Sequence, residues 1–270
     1  MPAPAGYQPA DWYDTPLYYD IIFDDGTEQE ANFLEAAFAK HSQVYRRSKS
    51  NLRVLEPACG SGRLMARLAK RGHTVTGFDL NPKMLEAARK RLAALGNKGT
   101  LKRQRLESFE VAGTFDLAHC LLSTFKYILN EDGAVSHLNA VSRHVKPGGL
   151  YILGIHLTDY TRTSYEHERW TGSRNGIDVI CNTRTWPPIR RTRREILRNR
   201  LRVTSPGGSE KLLETNWECR TYDAAQLRRT LRKVRDLTPV AYYDFHYDLS
   251  APSLGAALSD DVVVILRKNS

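Results

Sequence analysis

Residues 56–62, Glu-Pro-Ala-Cys-Gly-Ser-Gly, are the segment of this sequence best suited to binding a ligand. They follow a short apolar run at Leu52–Leu55 and precede a helical pattern of apolar residues at Arg63–Arg71. A glycine-rich turn between a strand and a helix lets the backbone approach a ligand closely and directs helix N–H groups toward it. The segment therefore predicts a cofactor site.

The kind of cofactor is narrowed by what this turn lacks. A dinucleotide fingerprint would place a third glycine where the sequence has Met65, which weakens a pyrophosphate interpretation. A P-loop would end in Gly-Lys-Ser/Thr, but Gly62 is followed by Arg63 and Leu64, so that interpretation fails. Asp79 ends the next apolar run, where its carboxylate is placed to accept ribose hydroxyls. S-adenosylmethionine (SAM) fits, because it needs close backbone approach and a ribose partner but no phosphate site.

Four motifs resemble those of the class I SAM-dependent methyltransferases. They are VLEPACGSGR at 54–63, GFDLNPKML at 77–85, FDLAHC at 115–120 and VKPGGLYIL at 145–153. Their order and spacing match the family over roughly residues 50–156. The resemblance implies an α/β fold, namely a doubly wound, mostly parallel, Rossmann-like sheet of seven strands that binds SAM.

The resemblance also implies which residues contact SAM. Glu56, Ala58 and Gly60 would line its methionine end, and Gly62 would allow close helix packing. Asp79 would hold the ribose. The remaining expected contacts are Leu80 against the adenine, the Leu106 backbone N–H, Leu121, and Tyr19 in an N-terminal Leu-Tyr-Tyr-Asp stretch that resembles a family motif. The sequence departs from the family at Arg105, where an acidic residue often recognises the adenine amino group.

One branch of the family is favoured by the residues after the fourth predicted strand. The [DN]-P-P-[YF] motif of DNA and glutamine amino-methylating enzymes is absent there. Ser123, Thr124 and Tyr127 instead resemble the small-molecule branch, which includes amino-sugar and glycine-type N-methyltransferases. The expected function is methyl transfer to N or O of a small-molecule acceptor. The alternatives are an RNA methyltransferase and a non-catalytic protein of this fold that binds a partner through an arginine-rich strand.

Candidates for catalysis and substrate binding follow from positions at strand ends. His156 ends the fifth predicted strand and is the candidate general base; its alternative is a histidine bonded only to solvent or backbone. Tyr127, Tyr160, Trp170 and His246 are the candidate substrate contacts. For Tyr160 and Trp170 the alternative is a place in the core of the insert. The four cysteines include no Cys-x-x-Cys pair, so no metal site is expected.

Strand-like and helix-like stretches alternate through the first half of the chain, which predicts a parallel sheet covered on both faces. The predicted strands are Leu52–Leu55, Thr74–Phe78, Thr100–Leu106, Phe115–Leu121 and Leu150–His156. Ile177–Thr185, Arg193–Thr204 and Lys211–Tyr222 have β-type alternation and predict an antiparallel insert after the fifth strand. We therefore expect residues 1–157 and 223–270 to form a SAM-binding core with an N-terminal helical cap, and residues 158–222 to form a β lid over the substrate.

Composition and charge set the broad class. The 270 residues are 41% hydrophobic and 26% charged, which excludes a disordered or collagen-like chain. No apolar run is long enough to span a bilayer, and the start lacks a signal-peptide pattern, so we expect a cytoplasmic protein without a membrane partner. The net charge is +10, but the charges are unevenly distributed: residues 1–39 form an acidic block and residues 184–202 form an arginine-rich block. These two blocks are expected to face one another or water. We therefore expect no nucleic-acid partner, and the oligomeric state stays open.

Overall fold

The computed structural model describes residues 6–44, 51–96, 99–252 and 261–270, and these form two β-sheets with six α-helices. The strands are β1 (Gln8–Pro9), β2 (Arg53–Pro57), β3 (Thr74–Asp79), β4 (Gly99–Arg103), β5 (Phe115–Cys120), β6 (Val145–His156), β7 (Glu166–Arg174), β8 (Ile177–Thr185), β9 (Arg194–Thr204), β10 (Glu210–Arg220), β11 (Leu237–Tyr243) and β12 (Asp261–Lys268). The helices are α1 (Pro16–Phe23), α2 (Thr27–His41), α3 (Arg63–Lys70), α4 (Pro82–Ala93), α5 (Glu131–His144) and α6 (Ala224–Leu231).

The larger sheet confirms the predicted fold class. Its seven strands lie in the order β11-β12-β6-β5-β2-β3-β4. The pairs formed among β2 to β6 are parallel, whereas β12 is antiparallel to both β6 and β11. Two separate apolar clusters cover the sheet, one including α5 and α6 and the other including α2 and α3. Strand β12 is continuously apolar at Val262–Leu266 because both of its faces are buried.

The smaller sheet, with the order β1-β10-β9-β8-β7, consists of the antiparallel insert β7 to β10 and the short N-terminal strand β1, which pairs parallel with β10. Its strand β7 was not predicted from the sequence. Most side chains of Glu166–Arg174 are exposed, because the strand forms one edge of the sheet. It therefore lacks the apolar alternation that identifies a half-buried strand.

Two further predictions of strand boundaries were wrong. The fifth strand was expected to begin at Leu150, but β6 begins at Val145 and includes Lys146–Gly149. Pairing with β5 jumps from Phe115–Val145 to Leu117–Leu150, so these four residues form an irregularity inside the strand. The predicted strand Thr100–Leu106 ends at Arg103, because Gln104–Glu110 turns back on itself through hydrogen bonds between Gln104 and the backbone of Glu110.

The acidic and arginine-rich blocks were expected to face one another or water, and no ion pair joins one block to the other among the described residues. The acidic block pairs instead with the helices of the core, as in Glu30–Arg63 (2.5 Å) and Glu28–Arg67 (3.2 Å). In the arginine-rich block, Arg200 lies directly opposite Glu214 in the β9–β10 register and contacts it at 2.7 Å. Cross-strand pairing thus neutralises part of the arginine-rich block, whereas Arg193 pairs with Glu131 of α5.

Strand β9 has an apolar face and a charged face. Leu201 and Val203 are buried and pack in a cluster with Trp12 and Ile21, whereas Arg202 is exposed on the opposite face. This cluster attaches the smaller sheet to the N-terminal helix α1. In the described parts of the chain, no helix has both the length and the apolar character needed to cross a membrane.

Candidate functional site

The glycine-rich turn lies between β2 and α3 and is held in a left-handed conformation. Ala58, Gly60 and Gly62 all have positive φ, at 55°, 53° and 70°. Gly62 contacts α4: a Cβ atom added there would lie 2.9 Å from the Cβ of Ala88. The absence of a side chain thus allows α3 to begin directly against α4, as the sequence led us to expect.

This contact leads to a prediction about stability. We expect Gly62→Ala to lower the free energy of unfolding by about 1–3 kcal/mol, because the new methyl group overlaps Ala88 in a packed interface. Urea denaturation measures the change. Gly96→Ala is the matched control, since Gly96 has a similar φ of +76° but nothing within 4 Å of the added Cβ. Equal losses in the two variants would show that backbone strain, and not the helix contact, requires glycine.

Asp79 ends β3 beside the turn and is fixed by two backbone donors. The Gly60 N–H donates to its Oδ2 (2.9 Å), and the Asn81 N–H donates to its Oδ1 (2.8 Å). Burial raises the pKa of this carboxyl, and these backbone hydrogen bonds oppose the shift. Both oxygens are oriented while each keeps a lone pair for a further donor.

A cavity of about 440 Å³, which we call the strand-end cavity, opens beside Asp79. Leu80 and Leu106 line it together with Phe78 and Met84, so one part of it is apolar. Arg105 also lines this cavity, at the position where the family often has an acid. The cavity thus combines oriented carboxylate oxygens with an apolar slot, which suits a ribose and an aromatic base.

A smaller pocket of about 50 Å³, the Glu56 pocket, adjoins the strand-end cavity, because Tyr19, Ala58 and Gly60 line both. Leu121 lines the Glu56 pocket as well. Glu56 is largely buried, and its Oε2 has no hydrogen-bond partner among the residues that the structure describes. Burial raises the pKa of Glu56 to about 8. An unpartnered buried carboxyl oxygen calls for a cationic or N–H donor.

A third cavity of about 630 Å³ lies between the two sheets, and we call it the aromatic cavity. Aromatic side chains from four segments line it: Trp12, Tyr13, Tyr19, Tyr127, Trp170 and Trp217. Tyr19 lines all three cavities and so marks the point where they meet. The hydroxyl groups of Tyr13 and Tyr127 are hydrogen-bonded at 2.8 Å between the aromatic and strand-end cavities.

The aromatic cavity is also rich in carboxylates. Most of them have a partner: Glu195 contacts Lys126 at 2.5 Å, and Glu166 contacts Arg162 at 3.2 Å. Glu168 lies on the edge strand β7, where its side chain is partly exposed to solvent, and it makes no hydrogen bond or ion pair with the described part of the chain. Partial burial raises the pKa of Glu168, an effect that the nearby His156 opposes. The cavity therefore holds a carboxylate that is free to pair with a cationic ligand.

Three of the five candidate residues for catalysis and substrate binding line this cavity, and a fourth, Tyr160, does not. His156, Tyr127 and Trp170 line it, and the His156 ring forms a hydrogen-bonded pair with Asp261. Tyr160 is directed away, with its hydroxyl bonded to Thr221 (2.6 Å) and Gln226.

The fifth candidate, His246, lies outside the lining of the three cavities. Its backbone N–H donates to Asp244, and its carbonyl accepts from Gln29. The structure therefore does not bring Tyr160 or His246 into the lining of the aromatic cavity.

Several residues of this site were missed by sequence reasoning. Glu168 lies on the unpredicted strand β7, and Trp217 lies on β10 without a recognisable motif. Tyr13 had a weak signal, namely the density of aromatic residues between Trp12 and Tyr19. In the described ranges, no group of three or more His, Cys, Asp or Glu side chains is placed to bind a metal ion.

Comparison with known proteins identifies the part of the chain that carries the cofactor motifs. Residues 54–149 match a family model described as a methyltransferase domain. A ubiquinone biosynthesis O-methyltransferase from Dechloromonas aromatica is 34% identical over 108 residues, which is 39% of this chain and 45% of that relative. The chain spans between 42% and 45% of the length of three curated relatives that it matches.

Solved structures match over nearly the whole chain. A SAM-dependent methyltransferase from Clostridium acetobutylicum is 19% identical, with a TM-score of 0.73 and 96% of each chain covered. A sugar N-methyltransferase from Streptoalloteichus is 16% identical, with a TM-score of 0.72, 100% of this chain and 98% of that chain covered. At such identities the likeness shows the fold. Residues 54–149 therefore match a methyltransferase domain, and the chain has the fold of SAM-dependent methyltransferases.

Proposed function

We propose that this protein transfers a methyl group from SAM to the amine nitrogen of a small-molecule acceptor that binds in the aromatic cavity. The smaller sheet would serve as the lid that closes over this acceptor, as expected for residues 158–222. The observation that carries the proposal is the carboxylate of Glu168, which lacks a partner within an aromatic-walled cavity adjoining the cofactor cavities.

The residues at the cofactor cavities fit SAM. Asp79 would hold the ribose, with Leu80 and Leu106 beside the adenine. Glu56, whose buried Oε2 needs a donor, would accept from the ammonium group of the methionine part. When bound, SAM would supply an electrophilic methyl group: the lone pair of the deprotonated amine would form the new N–C bond as the C–S bond breaks, and the neutral thioether S-adenosylhomocysteine would leave.

Recognition of an amine follows from the charge and the walls of the aromatic cavity. A protonated amine is attracted both to a carboxylate and to the faces of aromatic rings. Glu168 would provide the carboxylate, and Trp170 and Trp217 are among the residues that would provide the aromatic faces. The same walls would restrict the orientation of the acceptor, and positioning of this kind lowers the barrier of a bimolecular reaction by several kcal/mol.

His156 is the proposed acceptor of the amine proton. It lines the aromatic cavity, and its Nδ1 is engaged by Asp261 while the backbone N–H donates to Ser123 (2.7 Å). A carboxylate bonded to one ring nitrogen orients the imidazole and stabilises its protonated form. The pair can therefore take up the proton that leaves the acceptor.

The decisive test is whether Glu168→Gln raises KM for charged amine acceptors more than for uncharged hydroxyl acceptors. Pools of small amines and of hydroxyl compounds of matching shape are first screened with radiolabelled SAM. For an amine acceptor found in this way, we expect the variant to raise KM about 10-fold or more, because a charge-assisted hydrogen bond is lost. Hydroxyl acceptors should respond much less, since they carry no charge for Glu168 to balance.

Glu210→Gln is the matched control for Glu168→Gln. It neutralises an exposed glutamate of β10 that pairs with Arg202 and lies outside the aromatic cavity. Its kinetics should equal those of the unmodified protein. A Glu168→Gln variant with unchanged KM for amines would remove Glu168 from the acceptor site.

Methylation of a hydroxyl oxygen is the second candidate. The His156–Asp261 pair favours it, because a hydroxyl acceptor gains most from a base at the site. In that case the screen would yield hydroxyl acceptors, and Glu168→Gln would have little effect on them. The alternatives of RNA methylation and partner binding have less support, since Arg200 and Arg202 of the arginine-rich strand are paired with glutamates of β10.

A further inference from the structure

Glu56 and His119 form a buried polar pair behind the Glu56 pocket. They lie on adjacent parallel strands, β2 and β5, one position beyond the paired residues Leu55 and Ala118. The Oε2 of Glu56 and the Nε2 of His119 are 3.9 Å apart. Neither atom has a hydrogen-bond partner among the described residues, and His119 is only 1% exposed.

We propose that His119 is a positioning residue for Glu56, and that the pair gives up one proton when an ammonium group enters the Glu56 pocket. This inference rests on the proposed function, because the ammonium group is that of the methionine part of SAM. It goes beyond that function in assigning a role to His119 and in coupling cofactor binding to proton release.

Burial is the main reason why the pair holds its proton before the cofactor binds. It raises the pKa of Glu56 to about 8, and it lowers the pKa of His119 to about 3, so the favoured state has a neutral carboxyl and a neutral imidazole. Arg63 lowers the pKa of both groups, whereas Glu30 and Asp79 raise that of Glu56.

The other groups around the pair do not replace the missing donor. Arg63 is already engaged by both carboxylate oxygens of Glu30 and by Thr27. Burial keeps the thiols of Cys59 and Cys120 neutral by raising their pKa. An entering ammonium group would therefore be the first cation free to pair with Glu56.

The chemistry of imidazole suits His119 to hold Glu56 in either charge state. The unprotonated Nε2 can accept from a neutral carboxyl O–H, and in the other tautomer the Nε2–H can donate to a carboxylate. The present separation is too long for a hydrogen bond, and closing it by about 0.7 Å would bring the atoms into range. His119 would thus direct the carboxyl group without carrying charge itself.

Calorimetry of SAM binding near pH 6.5, in buffers of different ionisation enthalpy, tests the proton release. We expect about one proton released per SAM bound, and a Kd that falls about tenfold between pH 6 and pH 7, because the carboxyl must ionise to bind. The control ligand is 5′-methylthioadenosine, which lacks the ammonium group and should release none. Glu56→Gln should abolish the release.

The role of His119 is tested by comparing the two ligands in one variant. We expect His119→Phe to weaken SAM about tenfold relative to 5′-methylthioadenosine, and His119→Asn to weaken it less, because the amide retains a hydrogen-bonding group. A purely structural role would weaken both ligands equally, and that result would overturn the positioning role. SAM binding without proton release would overturn the coupling. If neither ligand bound, the proposed function would fail, and this inference with it.

Discussion

We expect Asp79→Ala to weaken SAM binding by about 1.5–3 kcal/mol, which is roughly 10- to 150-fold in Kd. Asp79 accepts the Gly60 and Asn81 N–H groups, so its carboxylate is oriented before a ligand arrives. Removing it deletes the ribose acceptors and releases the glycine-rich turn from the end of β3. Isothermal titration of the cofactor measures the change.

Asp14→Ala is the control for this experiment. Asp14 binds the side chains of Asn81 and Lys83 close to the same loop, but it lies outside the lining of the strand-end cavity. Its loss should alter the Kd for SAM far less. An unchanged Kd in Asp79→Ala would remove Asp79 from the site, and tighter binding of NAD than of SAM would contradict the choice of cofactor.

The second large effect concerns stability. We expect Glu30→Ala to lower the free energy of unfolding by about 3–5 kcal/mol, because it leaves the guanidinium of Arg63 buried without its counter-charge. Both side chains are nearly inaccessible, at 5% for Glu30 and 9% for Arg63. Urea denaturation of the cofactor-free protein measures the loss.

The exposed Glu86–Lys90 pair on α4 is the matched control for Glu30. Glu86→Ala should change the free energy of unfolding by no more than about 0.5 kcal/mol, because solvent screens an exposed pair of this kind. A loss below about 1 kcal/mol in Glu30→Ala would mean that the core relaxes enough to hydrate Arg63. The N-terminal helix α2 would then contribute little to holding the cofactor turn.

The residues of the cofactor site could be predicted from the sequence because each belongs to a short local motif. The positive-φ turn at Ala58–Gly62 and the carboxylate of Asp79 each follow directly from a strand end. Parallel strands bring their carboxyl ends to one edge of the sheet, so the two features meet wherever this strand–helix alternation folds. The cap of α4 is equally local, since Asn81 accepts from Lys83 and Met84.

The acceptor side was decided by the tertiary structure. Glu168, Tyr13 and Trp217 come from distant segments, and none belongs to a motif or to a regular apolar pattern. Tyr160 and His246 were expected from their positions near strand ends, but neither lines the aromatic cavity, and the Tyr160 hydroxyl is bonded to Thr221, which is distant in the sequence. The arginine-rich strand likewise acquired its partners from the β9–β10 register.

The sequence by itself thus determined the class of fold, the cofactor turn and the likeness to class I methyltransferases, since short-range turn chemistry and periodicity encode them. Only the tertiary structure decided which side chains share the aromatic cavity and that Glu168 lacks a partner there. It also decided that Glu56 lies beside His119. These features depend on contacts between residues far apart in the chain, which no local pattern specifies.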